Sequence, residues 1–250
     1  MQKKDIKVQI EKEGKSTKQY LGGFMKKGDQ EQLHKFRVGV KKLRAVATLI
    51  EETTALAHVR NELKPIRQTY QLGGQVRDSY LHMELAKSVA STDKKYLSNE
   101  KVVMKKAARK LRKDRPHHYK MLRRAQARLL RRIPKVRNKK ISAFYDTELL
   151  AIGECLSSST EVKPMHDCRK RLKVLLYNLP LVAEILELKV NAGYLKQVQR
   201  VIGDWHDHVL AAEQFPELGG KSDQLMNNVK TLTENFYERA TTVAPVPAQV

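Results

Sequence analysis

Apolar residues recur along most of this chain at spacings of three and four, the period of an amphipathic helix. Phe36, Leu43, Ala47 and Ile50 make one such stripe, and Leu122, Ala125, Leu129 and Ile133 another. Val103, Ala107 and Leu111 repeat at i+4 in a third. Read this way, the sequence predicts helices over 16–27, 29–52, 55–72, 75–90, 95–114, 116–133, 138–156, 163–188, 191–202, 204–215 and 221–241. Breaks are expected at Gly28-Asp29, Gly73-Gly74, Pro116, Pro134, Ser157–Ser159, Gly203 and Gly219-Gly220, where turn-forming residues interrupt the pattern. Pro65 and Pro180 are expected to kink or split the helices that contain them. Only residues 4–12 alternate, weakly enough to suggest no more than a short strand. Residues 1–15 read as an extension, and 241–250, with two prolines, as a frayed tail. The fold class expected is all-α.

Charge changes this picture. The 250 residues hold 49 Lys+Arg against 27 Asp+Glu, a net +22. Residues 94–140 alone contribute 20 cations and two acids, Glu100 and Asp114, or +18. The cations repeat with the helical period, so that Lys105, Arg109 and Arg112, and then Arg124, Arg128 and Arg131, lie opposite the apolar stripes. Like charges at i+4 repel by a few tenths of a kcal/mol each. A solubilising face usually mixes both signs. An uncompensated stripe therefore points to an anionic partner. No apolar run approaches the ~18 residues of a membrane span. The charged N-terminus lacks the apolar stretch of a secretory signal, so a cytoplasmic location is expected.

Two segments repeat. His34, Arg37 and Lys41 in LHKFRVGVKKLRA match His166, Arg169 and Lys173 in MHDCRKRLKVLLY. Downstream, Gly74, Arg77 and Asp78 match Gly203, His206 and Asp207, 43 residues from His34 to Arg77 and 40 from His166 to His206. A repeated pattern at repeated spacing suggests two related helical halves, about 16–135 and 136–240. At about 100° per residue, His34, Arg37, Lys41 and Arg44 share a stripe about 80° wide, away from the apolar face. Lys42 lies on its flank. His166, Arg169 and Lys173 repeat the ridge, with Lys170 beside them. Asp78 and Asp207 are expected to orient a neighbouring Arg or His.

These motifs, in this order over most of residues 16–240, resemble the CHAD family, the conserved histidine α-helical domain. The resemblance implies two antiparallel helical bundles related by a pseudo-twofold axis, with a basic cavity between them. It also implies binding of inorganic polyphosphate, often at polyphosphate granules. Leu176 departs from the pattern, standing where Arg44 stands in the first half. The residues expected to meet phosphates are His34, Arg37, Lys41, Lys42, Arg44, Arg77, His166, Arg169, Lys170, Lys173 and His206. Lys105, Arg109, Arg112, Arg124, Arg128 and Arg131 are expected as an opposing wall. Arg forks two donors onto phosphate oxygens and Lys adds a point charge, which suits a polyanion without bases. Aromatic content is only 6%, which disfavours recognition of single-stranded nucleic acid by stacking. Nucleic-acid binding stays open as a second reading, as does an accessory role to a triphosphate- or polyphosphate-processing enzyme.

No catalysis and no cofactor are expected. Glu11-Lys12-Glu13-Gly14-Lys15 matches the Glu-x-Glu-x-Lys signature of the CYTH enzymes, but no run of strands follows to build their barrel. His206 and His208 would point about 200° apart on a helix, so no metal site is expected. Cys155 and Cys168 make neither a disulfide framework nor a zinc cluster and suggest small core or boundary residues, and Trp205 a core anchor.

Overall fold

The computed structural model describes residues 1–87, 94–215 and 220–241. The expected tail, the last residues of the helix expected over 75–90, and Gly219 lie wholly or mostly outside them. The described residues are predominantly helical, with no strand among them. Contacts divide the chain into two compact units, Gln2–Lys135 and Val136 onward. Among the described residues no helix is long and apolar enough to cross a membrane.

The first unit contains α1 (Lys3–Lys27), α2 (Gln30–Thr53), α3 (Arg67–Lys87), α4 (Lys94–Lys113) and α5 (Arg115–Arg131). A 3₁₀ stretch over Val59–Ile66 joins α2 to α3. The short strand expected over 4–12 is instead the start of α1. Ile6, Val8 and Ile10 would share a strand face, yet Ile6 and Ile10 are buried while Val8 is 55% exposed. The 3.6-residue period wins because Leu21 and Phe24 continue the buried stripe down the same helix. Residues 3–15 are thus part of the bundle rather than an extension. Glu13, in the Glu-x-Glu-x-Lys segment, is buried against Lys42 of α2 at 3.0 Å. At Gly14 the amide of Gln126 on α5 lies where a Cβ would stand, so the segment is helix–helix packing.

Asp29 caps α2 by accepting from the N–H groups of Glu31 and Gln32. The expected stripe Phe36, Leu43, Ala47 and Ile50 is buried. Of the helix expected over 55–72, the part up to Ile66 is instead a turn, with His58 at φ 61°, and the 3₁₀ stretch that contains Pro65, while 67–72 are helical as the start of α3. Pro116 sits in the first turn of α5, where its missing N–H costs no hydrogen bond. On α4 Ala107 and Leu111 are buried, but Val103 is 47% exposed, so its apolar stripe is shorter than expected. Ile133 lies beyond the end of α5.

The second unit contains α6 (Asn138–Ser158), α7 (Val162–Val182), α8 (Ala192–Gln214), α9 (Ser222–Thr233) and α10 (Phe236–Thr241). Leu172, Leu175, Ile152, Tyr145, Leu195 and Ile202 form its core. Tyr145, buried between them, donates its hydroxyl to the Leu175 carbonyl at 2.8 Å. Trp205 is buried, as expected of a core anchor. The helix expected over 163–188 is interrupted just after Pro180, with a 3₁₀ turn over Ala183–Ile185 following. Pro180 falls within the last turn of α7, which ends at Val182. The helix expected over 221–241 is divided by Asn235 at φ 51°.

Neither Gly73-Gly74 nor Gly203 breaks a helix. α3 runs through the first pair and α8 through the second. The expectation for the cysteines is also corrected. Cys168 does occupy a buried position, the one matched to Phe36, but it is joined to Cys155 by a disulfide that ties α7 to the C-terminal part of α6.

Candidate anion-binding ridges

In the first unit the ridge of α2 faces α3. The guanidinium of Arg37 lies over Gly74, where its Nη1 occupies the space a Cβ would need. Gly74 is therefore a seat for an arginine rather than a hinge. The Arg37 side chain is only 17% exposed, with Asp78 of α3 at 3.9 Å from its Nη2. Tyr70, one turn before Gly74, carries two cations on its ring: Arg37 at 4.9 Å and Arg44 at 4.3 Å from the centroid. A cation over an aromatic face is attracted by the ring quadrupole, and its N–H donors stay available. His34 stands at the N-terminal end of the ridge. Burial, and then the Arg77 charge, holds its imidazole below the ordinary histidine value. Arg77 lies over the Tyr80 ring at 5.4 Å, and its buried Nε has no hydrogen-bond partner.

The second unit repeats the plan with different parts. Arg169 lies over Gly203, and its Nη2 and Nε fill the space a Cβ would take. Its Nε donates to the carbonyl of Gln199 at 3.2 Å. Gln199 matches Tyr70 in the repeat, so a backbone oxygen stands where the first unit has a ring. His166 stacks on His206, with centroids 4.3 Å apart and rings 27° from parallel. Burial, and then His206, keeps His166 below the ordinary value. Its buried Nδ1 has no hydrogen-bond partner. Asp207 is 3.3 Å from His206 Nδ1. Asp78 and Asp207 therefore stand beside an Arg and a His, as expected.

Some expected contacts are engaged elsewhere. Lys42 turns away from the ridge to the buried Glu13. Arg128 donates its Nε to Glu62 at 2.8 Å. Lys170 pairs with Asp167 at 2.9 Å, on the surface. Lys41 and Lys173 are half-buried on their ridges. The six cations expected as one wall fall into two groups, because α4 packs chiefly on α3, and α5 on α1 and the 59–66 stretch. Lys105, Arg109 and Arg112 gather at a cleft beside the start of α2. Arg124 and Arg131 are exposed on α5.

Tyr70 was not singled out from the sequence, although its spacing of four from Gly74 places both on one face of α3. The Gln199 carbonyl carries no side-chain signal at all.

No curated protein and no solved structure matches the chain. A family model, the CHAD domain, matches residues 10–215, which takes in both ridges and the helices they face. The chain belongs to the CHAD domain family.

Proposed function

We propose that the protein binds inorganic polyphosphate on its two ridges, without turning it over. The observation that carries this reading is the arginine laid over a glycine in each unit, beside a histidine whose neighbours are cationic or stacked. Each guanidinium is held in place before a ligand arrives, which lowers the ordering cost of binding. From His34 to Arg44 the ridge rises about 15 Å, long enough for several successive phosphates. The proposed contacts are His34, Arg37, Lys41, Arg44 and Arg77 in the first unit, and His166, Arg169, Lys173 and His206 in the second. Lys170 is a peripheral contact that must leave Asp167, and Arg124 and Arg131 supply long-range attraction. A cytoplasmic protein held at polyphosphate granules follows from this reading.

The test is a titration with polyphosphates of defined length, with duplex DNA as competitor at matched phosphate and salt. Affinity is expected to rise with chain length and to fall steeply with salt as counterions are released. Arg37→Ala combined with Arg169→Ala is expected to weaken binding severely. Equal affinity for three phosphates and for a long chain contradicts the extended ridge, and preference for DNA favours the nucleic-acid reading. Phosphate release from long-chain polyphosphate with Mg²⁺ or Mn²⁺ would contradict binding without turnover.

A further inference from the structure

The cations of α4 rim a cleft whose chemistry differs from that of the ridges. Its volume is about 640 Å³, within the range of small-molecule sites. The floor is apolar, with Met104 and Ala108 of α4 part-exposed over the buried Phe24 at the end of α1 and Val76 of α3. The rim carries Lys105, Arg109, Arg112 and Lys113. Among the described residues, none of these four has a carboxylate within ion-pair reach. Gly28, at φ 75°, ends α1 so closely under Arg112 that a Cβ there would lie 2.9 Å from its Nη2. Arg112 also lies 5.9 Å from the Phe24 ring centroid. Gln30 lines the cleft too, and its buried Oε1 has no hydrogen-bond partner.

These features select among anions. Polyphosphate would use the rim and leave the apolar floor in water. A phosphorylated acyl chain would cover the floor but leave the Gln30 acceptor unpaired, which costs free energy in a buried setting. A flat heteroaromatic ring bearing an exocyclic amine answers both, with its face on the floor and an N–H for the amide oxygen. Four unpaired cations match the charge of a triphosphate near neutral pH. We propose that this cleft binds a purine nucleoside triphosphate, with the base on the floor and the phosphates on the rim.

The test is equilibrium titration of the full chain with ATP, tripolyphosphate and adenosine in the same buffer. ATP is expected to bind at least about tenfold tighter than tripolyphosphate, because only ATP uses the floor. Ala108→Trp, which fills the floor, is expected to lower ATP affinity about tenfold or more and to leave long-chain polyphosphate binding within about twofold. Arg109→Ala combined with Arg112→Ala is expected to weaken both ATP and tripolyphosphate. If circular dichroism shows that Ala108→Trp does not fold, Met104→Glu carries the same test by placing a carboxylate on the floor. Equal affinity for ATP and tripolyphosphate, ATP binding indifferent to the floor variant, or no ATP binding at millimolar concentration overturns the proposal. Long-chain polyphosphate is scored on the same samples, so failure here leaves the ridges to stand or fall separately.

Discussion

Arg37 and Arg44 of the first unit share one aromatic ring, Tyr70, whereas Arg169 of the second hangs on the carbonyl of Gln199. The place of Arg44 is taken there by Leu176. A ring holds a guanidinium by its face and leaves its five N–H donors in the plane, ready for an anion. A carbonyl uses one of those donors. The first ridge thus offers two arginines with their donors largely free, and the second offers one with its Nε engaged. The histidines differ as well, since His34 is beside Arg77 and His166 stacks on His206. Two halves that align residue by residue need not bind equally. Under the polyphosphate reading, the first is the stronger contact.

The largest expected effect comes from removing both arginines of the first ridge. Hydrogen bonds to charged groups contribute about 1.5–3 kcal/mol each. Arg37→Ala with Arg44→Ala is therefore expected to weaken long-chain polyphosphate binding about a hundredfold or more, and Arg169→Ala about tenfold. Calorimetric titration at fixed salt reads both, and an equal loss from Arg169→Ala alone would erase the asymmetry. Next in size is a gain. Leu176→Arg supplies the missing cation and is expected to tighten binding several-fold, by about 1 kcal/mol, provided the new guanidinium reaches the ridge. No gain would mean that position 176 faces away from the bound chain.

The histidines make a smaller, pH-dependent contribution. Both His34 and His166 are held below about 6.5, so in the free protein they are largely neutral at pH 7. Bound phosphates favour the imidazolium, so binding takes up protons and affinity rises as pH falls through and below 6.5. Proton uptake, read from titrations in buffers of different ionisation enthalpy, should shrink in His34→Gln and His166→Gln. Without ligand the sign is opposite for stability. Together with His118, which burial also holds low, these groups bind more protons when unfolded. Stability is expected to drop as pH falls below about 6.5 toward their lowered values, as a denaturant midpoint would show.

The smallest effects are expected at the glycine seats. Gly74→Ala and Gly203→Ala press a methyl into the end of a flexible arginine. The fold can yield by moving that side chain, so thermal stability should change little while polyphosphate binding drops a few-fold. A large loss of stability with unchanged binding would assign the glycines to backbone packing alone.

Much of this was readable from spacing. The buried stripe of α2, the His-x-x-Arg repeat and its second-motif partners rest on the helical period, which residues alone display. The misread places share a cause. Ile6 and Ile10 satisfy both a strand and a helix, and Val8 only a strand, until a neighbour chooses one face. Gly73, Gly74 and Gly203 look like punctuation, because a glycine signals a turn and a close approach with the same letter. Lys42 and Arg128 sit among ridge and wall cations, and only the positions of Glu13 and Glu62 show that they are engaged.

The sequence by itself determined an all-helical chain, a concentrated positive charge and two matched motifs, because periodicity and charge are local properties. The tertiary structure decided which cations are paired, which arginines rest on a ring or a carbonyl, and that Cys155 meets Cys168. Those outcomes depend on which helix faces lie within a few ångströms of each other, and contact forces act only at that range.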